Sequence, residues 1–164
     1  MPKTDRGSAV IGVDPSRIHG KSGGGAISIL TLKKGRVVGI VNICLRKNTE
    51  RDILIKFRKA IRGKKCTAAL EKVSARPNQG VVSMFNFGQG YGWLRSFLMC
   101  NDVPYEDVTP KKWQKFYGLY KEENETDTRW KNRLKSMAQQ LFPNEKVTLG
   151  NADSLLLANY KLKN

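Results

Sequence analysis

The sequence predicts an α/β fold: a mixed five-stranded sheet, three antiparallel then two parallel strands, with helices on both faces. Three β-type segments precede the first helix, and the last two strands alternate with helices in the order βββ-α-β-α-β-α-α, in which the short helix over 110–116 is not counted. Successive hairpins make the first strands antiparallel, whereas strand–helix–strand crossovers make the later ones parallel. With 40% hydrophobic residues, all 164 residues are expected to form one domain around a real core.

The five predicted strands are short apolar runs that end at turn signals. They cover residues 9–13, 26–31, 36–44, 67–70 and 104–108. Asp14-Pro15 forms a turn after the first strand, and residues 33–35 join the second strand to the third.

The five predicted helices cover residues 49–62, 85–99, 110–116, 127–142 and 151–162. Asn48 or Thr49 can cap the first, and Asn151 can cap the last. The helix over 127–142 is clearly amphipathic. Three glycines, at 88, 90 and 92, weaken the prediction of the second helix.

The charge balance favours a nucleic-acid partner. Thirty Lys and Arg oppose 14 Asp and Glu, which gives a net charge of +16. A membrane partner is not expected, because no apolar run approaches the roughly 20 residues of a membrane-spanning helix. Residues 1–7 are polar and lack a signal core.

The cysteines indicate a reducing compartment. Cys44, Cys66 and Cys100 are odd in number, far apart and set in apolar stretches, so we expect reduced core residues. A single histidine, His19, cannot complete a zinc site with them.

Three acids stand where a metal site is expected. Asp14 and Glu71 each follow an apolar strand directly, so they converge if the two strands are neighbours. Asp153 lies in the first turn of the last helix. Crowded carboxylates repel one another, and Mg²⁺ relieves that repulsion. Two such ions can drive phosphodiester cleavage.

Each acid also has an ordinary explanation. Asp14-Pro15 after a strand is a common turn, Glu71 can start a loop, and Asp153 suits the positive end of a helix. The three together favour the metal site.

Five segments carry a family resemblance, and they follow one another in the family's order. They are IGVDPS around Asp14, LEKVSARPNQGVVSMFNFGQGYGWL (70–94), VPYEDVTPKKWQKFYGL (103–119), AQQLFP (138–143) and ADSLLLANY (152–160). With them the chain resembles the RuvC-like Holliday junction resolvases, most closely small phage-type members. The resemblance implies a ribonuclease H-like fold, a homodimer, and nicking of opposed strands in branched DNA with two Mg²⁺ or Mn²⁺ ions per site.

The resemblance also implies residue roles. Asp14, Glu71 and Asp153 become catalytic metal ligands, and Lys131 a catalytic basic residue. The family usually has another acid three or four residues before the last one, but Gly150 and Leu149 stand there. Asn151 would supply a neutral ligand, water would fill the gap, or activity is reduced.

Polar residues around the acids are expected to bind DNA, mainly through phosphates and with steep salt dependence. They are Lys21, Lys72, Arg76, Gln79, Lys111, Lys112, Lys115, Arg129 and Lys135. By resemblance, residues 74–82 enter the centre of the junction. The second helix, 85–99, is the family's dimer element, and its many apolar residues fit that role or burial within one monomer.

Three functions remain open: a junction-resolving endonuclease, a non-catalytic or weakly catalytic junction-binding protein, and a ribonuclease H-like enzyme acting on RNA–DNA hybrids. The short chain suggests a phage or prophage protein in a bacterial cytoplasm, with an organelle as the alternative.

Overall fold

The ten elements that the sequence predicts are present in the predicted order. The computed structural model describes residues 7–16, 24–75 and 77–164. The strands are β1 (Ser8–Asp14), β2 (Ala26–Lys33), β3 (Arg36–Cys44), β4 (Lys65–Glu71) and β5 (Tyr105–Val108). The helices are α1 (Glu50–Ile61), α2 (Val81–Cys100), α3 (Pro110–Phe116), α4 (Asp127–Leu141) and α5 (Ala152–Lys163).

The strands form one mixed sheet in the order β3-β2-β1-β4-β5. β1 and β3 each pair antiparallel with β2, while β4 pairs parallel with both β1 and β5. The β2–β3 hairpin turns at Lys34 (φ 50°) and Gly35 (φ 74°), two left-handed residues that suit the twist of a two-residue turn. The predicted sheet is therefore confirmed.

The helices cover both faces of the sheet, as predicted. One face packs against α1 and α2, and its core includes Phe57, Leu94 and Leu98. The other face packs against α3, α4 and α5, and its core includes Trp113 and Leu134.

Helix α2 begins four residues earlier than the predicted boundary at 85, and it contains all three glycines. Leu94, Phe97 and Leu98 are buried against the sheet, so these residues serve the core of the monomer. The opposite face of the helix is exposed, and on it Phe85 is 66% exposed. Although α2 is apolar and has 20 residues, neither it nor any other helix of the described chain could cross a membrane.

The cysteines are less buried than the sequence suggests. All three are free thiols, with Cys44 and Cys66 half-buried. The expectation of a core position is wrong for Cys100, which is the last residue of α2 and is exposed.

Helix α5 packs directly against the backbone of β1, and Gly12 makes this approach possible. A Cβ atom at Gly12 would lie 2.0 Å from the carbonyl oxygen of Ser154 and 2.4 Å from the nitrogen of Ala158. The buried Ser28 hydroxyl contacts the Ser154 hydroxyl at 2.7 Å. The first turn of α5 is thereby fixed over the carboxyl end of the sheet.

We expect Gly12→Ala to destabilise the protein by roughly 3 kcal/mol. The added methyl group would collide with the backbone of α5, which cannot move aside as a flexible side chain can. For a chain of this size, that loss lowers the thermal midpoint by about 6–12 °C. Gly39→Ala is the control, since a Cβ there would meet only the Cβ of Thr31, at 3.9 Å. Equal midpoints for the two variants in calorimetry would contradict the close packing of α5.

Candidate active site

Asp14 and Glu71 end two neighbouring parallel strands. The register pairs Val13 with Leu70, so the two acids follow at adjacent positions on strands that lie about 4.8 Å apart. Val13 and Leu70 belong to the core beneath α1 and α2. Because side chains alternate along a strand, both acids point to the opposite face, where α5 packs.

Asp153 reaches the same place from α5. It lies in the first turn of the helix and is buried. The pKa of Asp14 is raised well above its usual range by burial, then by the negative charges of Asp153 and Glu71. The structure thus brings the three predicted acids within electrostatic reach of one another.

Lys131, on α4, points into this group of acids. Its ammonium forms an ion pair with Oδ2 of Asp153. Burial lowers the pKa of Lys131, but the charges of Asp153, Asp14 and Glu71 outweigh that effect and raise it overall. Lys131 is therefore a stable cation that neutralises part of the acidic group.

The acids offer oxygen ligands suited to a hard divalent cation. Oδ1 of Asp153 is buried and has no hydrogen-bond partner, so it is an orphaned acceptor inside the group. Across the described ranges, no three His, Cys, Asp or Glu side chains already stand in metal-binding geometry. The residues fit a cation in their chemistry, and their side chains would have to move to enclose it.

Trp113 is a site residue that sequence reasoning missed. Its indole Nε1–H donates a 2.8 Å hydrogen bond to Oε2 of Glu71. The ring is fully buried on α3, in the core beneath α4 and α5. In the sequence Trp113 shows only the apolar character expected of a core residue, and its N–H was the one sign of a polar role.

The side chain of Asn151 is committed elsewhere. Its Oδ1 accepts from the backbone nitrogen of Thr148 at 2.7 Å, and its Nδ2 donates to the carbonyl of Lys146 at 3.2 Å. Asn151 precedes α5 as predicted, but its side chain makes no capping bond. This arrangement gives no support to Asn151 as a metal ligand.

Most of the predicted DNA-binding residues are exposed. These are Lys72, Gln79, Lys111, Lys112, Lys115 and Arg129. Lys135 is half-buried and lies one helical turn beyond Lys131, on the same side of α4. Arg129 is partly engaged by the buried Glu125, at 3.9 Å. Lys21 and Arg76 lie outside the described residues.

Two further basic residues lie near the end of the sheet at which β1 and β4 terminate in the acids. Strand pairing aligns Asp14 with Ala26 and Ala26 with Cys44. Arg46 and Lys47 follow Cys44 closely, and both are exposed. Sequence reasoning missed them because their position depends on how β1, β2 and β3 pair.

The comparisons with known proteins give structural matches only. No protein-family model matches the chain, and no curated protein matches its sequence. A structure of T. thermophilus RuvC in complex with a Holliday junction substrate superposes with a TM-score of 0.60 at 11% identity, over 93% of this chain and 91% of that one. This chain has the RuvC fold.

A second structure, of Thermus thermophilus RuvC, superposes with a TM-score of 0.58 at 14% identity, over 93% of this chain and 92% of that one. The predicted ribonuclease H-like fold is confirmed by these matches. The chain therefore has the RuvC architecture at a sequence identity of only 11–14% to these two structures.

We expect Asp14→Asn to stabilise the metal-free protein at pH 7. Because folding raises the pKa of Asp14, the ionised carboxylate costs stability above its unfolded pKa of about 3.8, and the cost grows as pH rises to the folded pKa. In EDTA, the thermal midpoint of the variant should be several degrees above that of wild type at pH 7. Near pH 3 the two midpoints should be equal.

Glu123→Gln is the control, because it neutralises an exposed carboxylate outside the site. It should leave the thermal midpoint nearly unchanged at both pH values. A lower midpoint for Asp14→Asn at pH 7 would mean that the acids do not repel one another in the folded protein.

Proposed function

We propose that the chain is a metal-dependent endonuclease that binds four-way and other branched DNA as a dimer and nicks opposed strands. One observation carries the proposal: the mutually repelling carboxylates of Asp14, Glu71 and Asp153 lie at one edge of a RuvC fold. Such a group is costly to fold unless cations neutralise it, and a nuclease uses those cations.

Asp14, Glu71 and Asp153 would hold two Mg²⁺ or Mn²⁺ ions. When bound, such ions activate a water molecule and stabilise the leaving oxygen during phosphodiester hydrolysis. The orphaned Oδ1 of Asp153 is the acceptor most in need of a ligand.

Lys131 has a role that depends on the same carboxylate. It now pairs with Asp153 and remains charged. With a cation bound at Asp153, the ammonium of Lys131 would be available to hold a non-bridging phosphate oxygen. The exposed lysines of α3 and α4 would bind the flanking phosphates.

The second copy would dock on the outward face of α2. Val81, Phe85 and Met99 are large and exposed there, at 84%, 66% and 58%. Gly88 and Gly92 lie on the same face with open space beside them, so a second helix can approach closely. A two-fold dimer would present one site to each of two equivalent junction strands.

Asp14→Asn and Glu71→Gln should each reduce cleavage of a labelled four-way junction by at least about 10²–10³-fold in Mg²⁺. Junction affinity in gel retardation should stay within a few fold, because the basic surface is intact. Glu123→Gln should cleave normally. Cleavage at wild-type rates by both site variants would remove the proposed mechanism.

A non-catalytic junction-binding protein is the second candidate, favoured by Leu149 and Gly150, where the family usually has an acid. Leu149 is 48% exposed and cannot ligate a cation. Incubation of wild-type protein with a labelled four-way junction in Mg²⁺ or Mn²⁺ distinguishes the two candidates. Symmetric nicks favour the nuclease, and DNA that is retarded in the gel but intact favours the binding protein. An RNA–DNA hybrid in the same tube tests the hybrid as an alternative substrate.

Phe85→Lys should convert the dimer to a monomer, because it places a charge within the proposed apolar contact. Light scattering after gel filtration should give the monomer mass of about 18.5 kDa for the variant and twice that for wild type. Val38→Lys is the control, since Val38 is 59% exposed on β3. A monomeric wild type, or a dimeric Phe85→Lys, would contradict the α2 interface.

A further inference from the structure

We propose that Trp113 is a positioning residue: its indole N–H fixes the carboxylate of Glu71 in the orientation that binds metal. The inference rests on the proposed metal-dependent function, and it assigns to this residue a role beyond packing. The 2.8 Å bond from Nε1 to Oε2 of Glu71 is the observation that carries it.

The chemistry of the bond suits a metal ligand. An indole N–H can donate but not accept, so it bonds only to an oxygen that offers a lone pair. The bond is therefore compatible with the metal-binding form of the carboxylate, which can only accept hydrogen bonds. It uses one lone pair of Oε2, and a carboxylate has about four lone-pair sites.

The fold holds Trp113 firmly in place. β5 pairs Val108 with Glu71, and the backbone of Lys72 donates to the carbonyl of Val108 at 2.8 Å. Thr109 caps α3 directly after this pair, with its hydroxyl accepting from the nitrogen of Lys112 at 3.3 Å. Trp113 therefore lies one helical turn beyond the strand that neighbours Glu71, and its ring returns over that acid.

A contact with Tyr117, which directly follows α3, links Trp113 to the helix that carries Asp153. Its ring lies edge-on to Tyr117, with the centroids 6.5 Å apart. The hydroxyl of Tyr117 donates to the carbonyl of Leu156 on α5 at 2.6 Å. Trp113 thus ties Glu71 on β4 to the element that supplies Asp153.

Glu71 needs such a partner more than the two aspartates do. Its side chain has one more rotatable bond, so an unfixed carboxylate samples more positions. Hydrogen bonds that orient a metal ligand typically change metal affinity by about 10–100-fold. A packing role alone would change stability without changing metal affinity selectively.

Trp113→Phe removes the donor and keeps most of the apolar bulk, and Trp130→Phe is the matched control. Trp130 is also buried in the core beneath α4 and α5, where its ring lies under Arg133, at 5.4 Å. Mn²⁺ affinity is measured without DNA by calorimetry, and the Mn²⁺ midpoint for junction cleavage is measured in parallel. Thermal midpoints in EDTA report the packing loss of each variant.

We expect Trp113→Phe to weaken Mn²⁺ binding, and to raise the cleavage midpoint, by about 10–100-fold. Trp130→Phe should stay within about threefold of wild type, although both variants lose stability in EDTA. Junction affinity should be unchanged in both. Equal Mn²⁺ affinity in Trp113→Phe and a metal-binding wild type would overturn the positioning role, whereas a wild type that neither binds Mn²⁺ nor cleaves would overturn the proposed function itself.

A fluorescence measurement decides the matter if Trp113→Phe fails to fold. With Trp93 and Trp130 both replaced by Phe, Trp113 becomes the only emitter among the three tryptophans. Paramagnetic Mn²⁺ should quench it saturably at the calorimetric midpoint, and Glu71→Gln in this background should shift its emission before metal is added. Unchanged emission in both experiments would overturn the role.

Discussion

Repulsion among Asp14, Glu71 and Asp153 is the constraint on which the rest of the site depends. Two strand ends and one helix start bring like charges together, and burial adds to their cost by raising the pKa of Asp14. The ammonium of Lys131 offsets part of that cost through its pair with Asp153. The site is thus poised for further positive charge, although the chain as a whole carries a formal net charge of +16.

The acids can meet because α5 lies on the bare backbone of β1. Gly12 removes the side chain that would hold the helix away, and the contact between the hydroxyls of Ser28 and Ser154 fixes the first turn laterally. Side-chain alternation then turns Asp14 and Glu71 toward the same face. The packing of α5 on β1 therefore also determines where Asp153 lies relative to Asp14 and Glu71. A substitution at Gly12 would disturb both the core and the site.

The sequence predicts those parts of the site that depend on local position. Asp14 and Glu71 follow apolar strands, and Asp153 begins an apolar helix, so strand-end and helix-start patterns are enough to find them. Trp113 was missed because the direction of its N–H depends on how α3 packs after β5. The hydrogen bond from the Thr148 nitrogen to Asn151 Oδ1 could not be foreseen either, because it depends on a local turn that no periodicity reveals.

The remaining differences between the sequence-based predictions and the structure depend on tertiary packing. The sequence shows that α2 has more apolar residues than one core face needs. Only the fold shows which of them are buried, such as Leu94, and which are exposed, such as Phe85. Arg46 and Lys47 lie near the end of the sheet that carries the acids because β1 pairs with β2 and β2 pairs with β3. Such placements depend on contacts between residues distant in sequence, which composition and spacing do not encode.

The most direct test of a metal-binding acid group is a crystal of the protein grown with Mn²⁺ and measured for anomalous scattering. The mechanism requires anomalous peaks within about 2.0–2.4 Å of oxygens from Asp14, Glu71 and Asp153, with Lys131 withdrawn from Asp153. Mn²⁺ bound only elsewhere, with the ion pair between Lys131 and Asp153 intact, would contradict it.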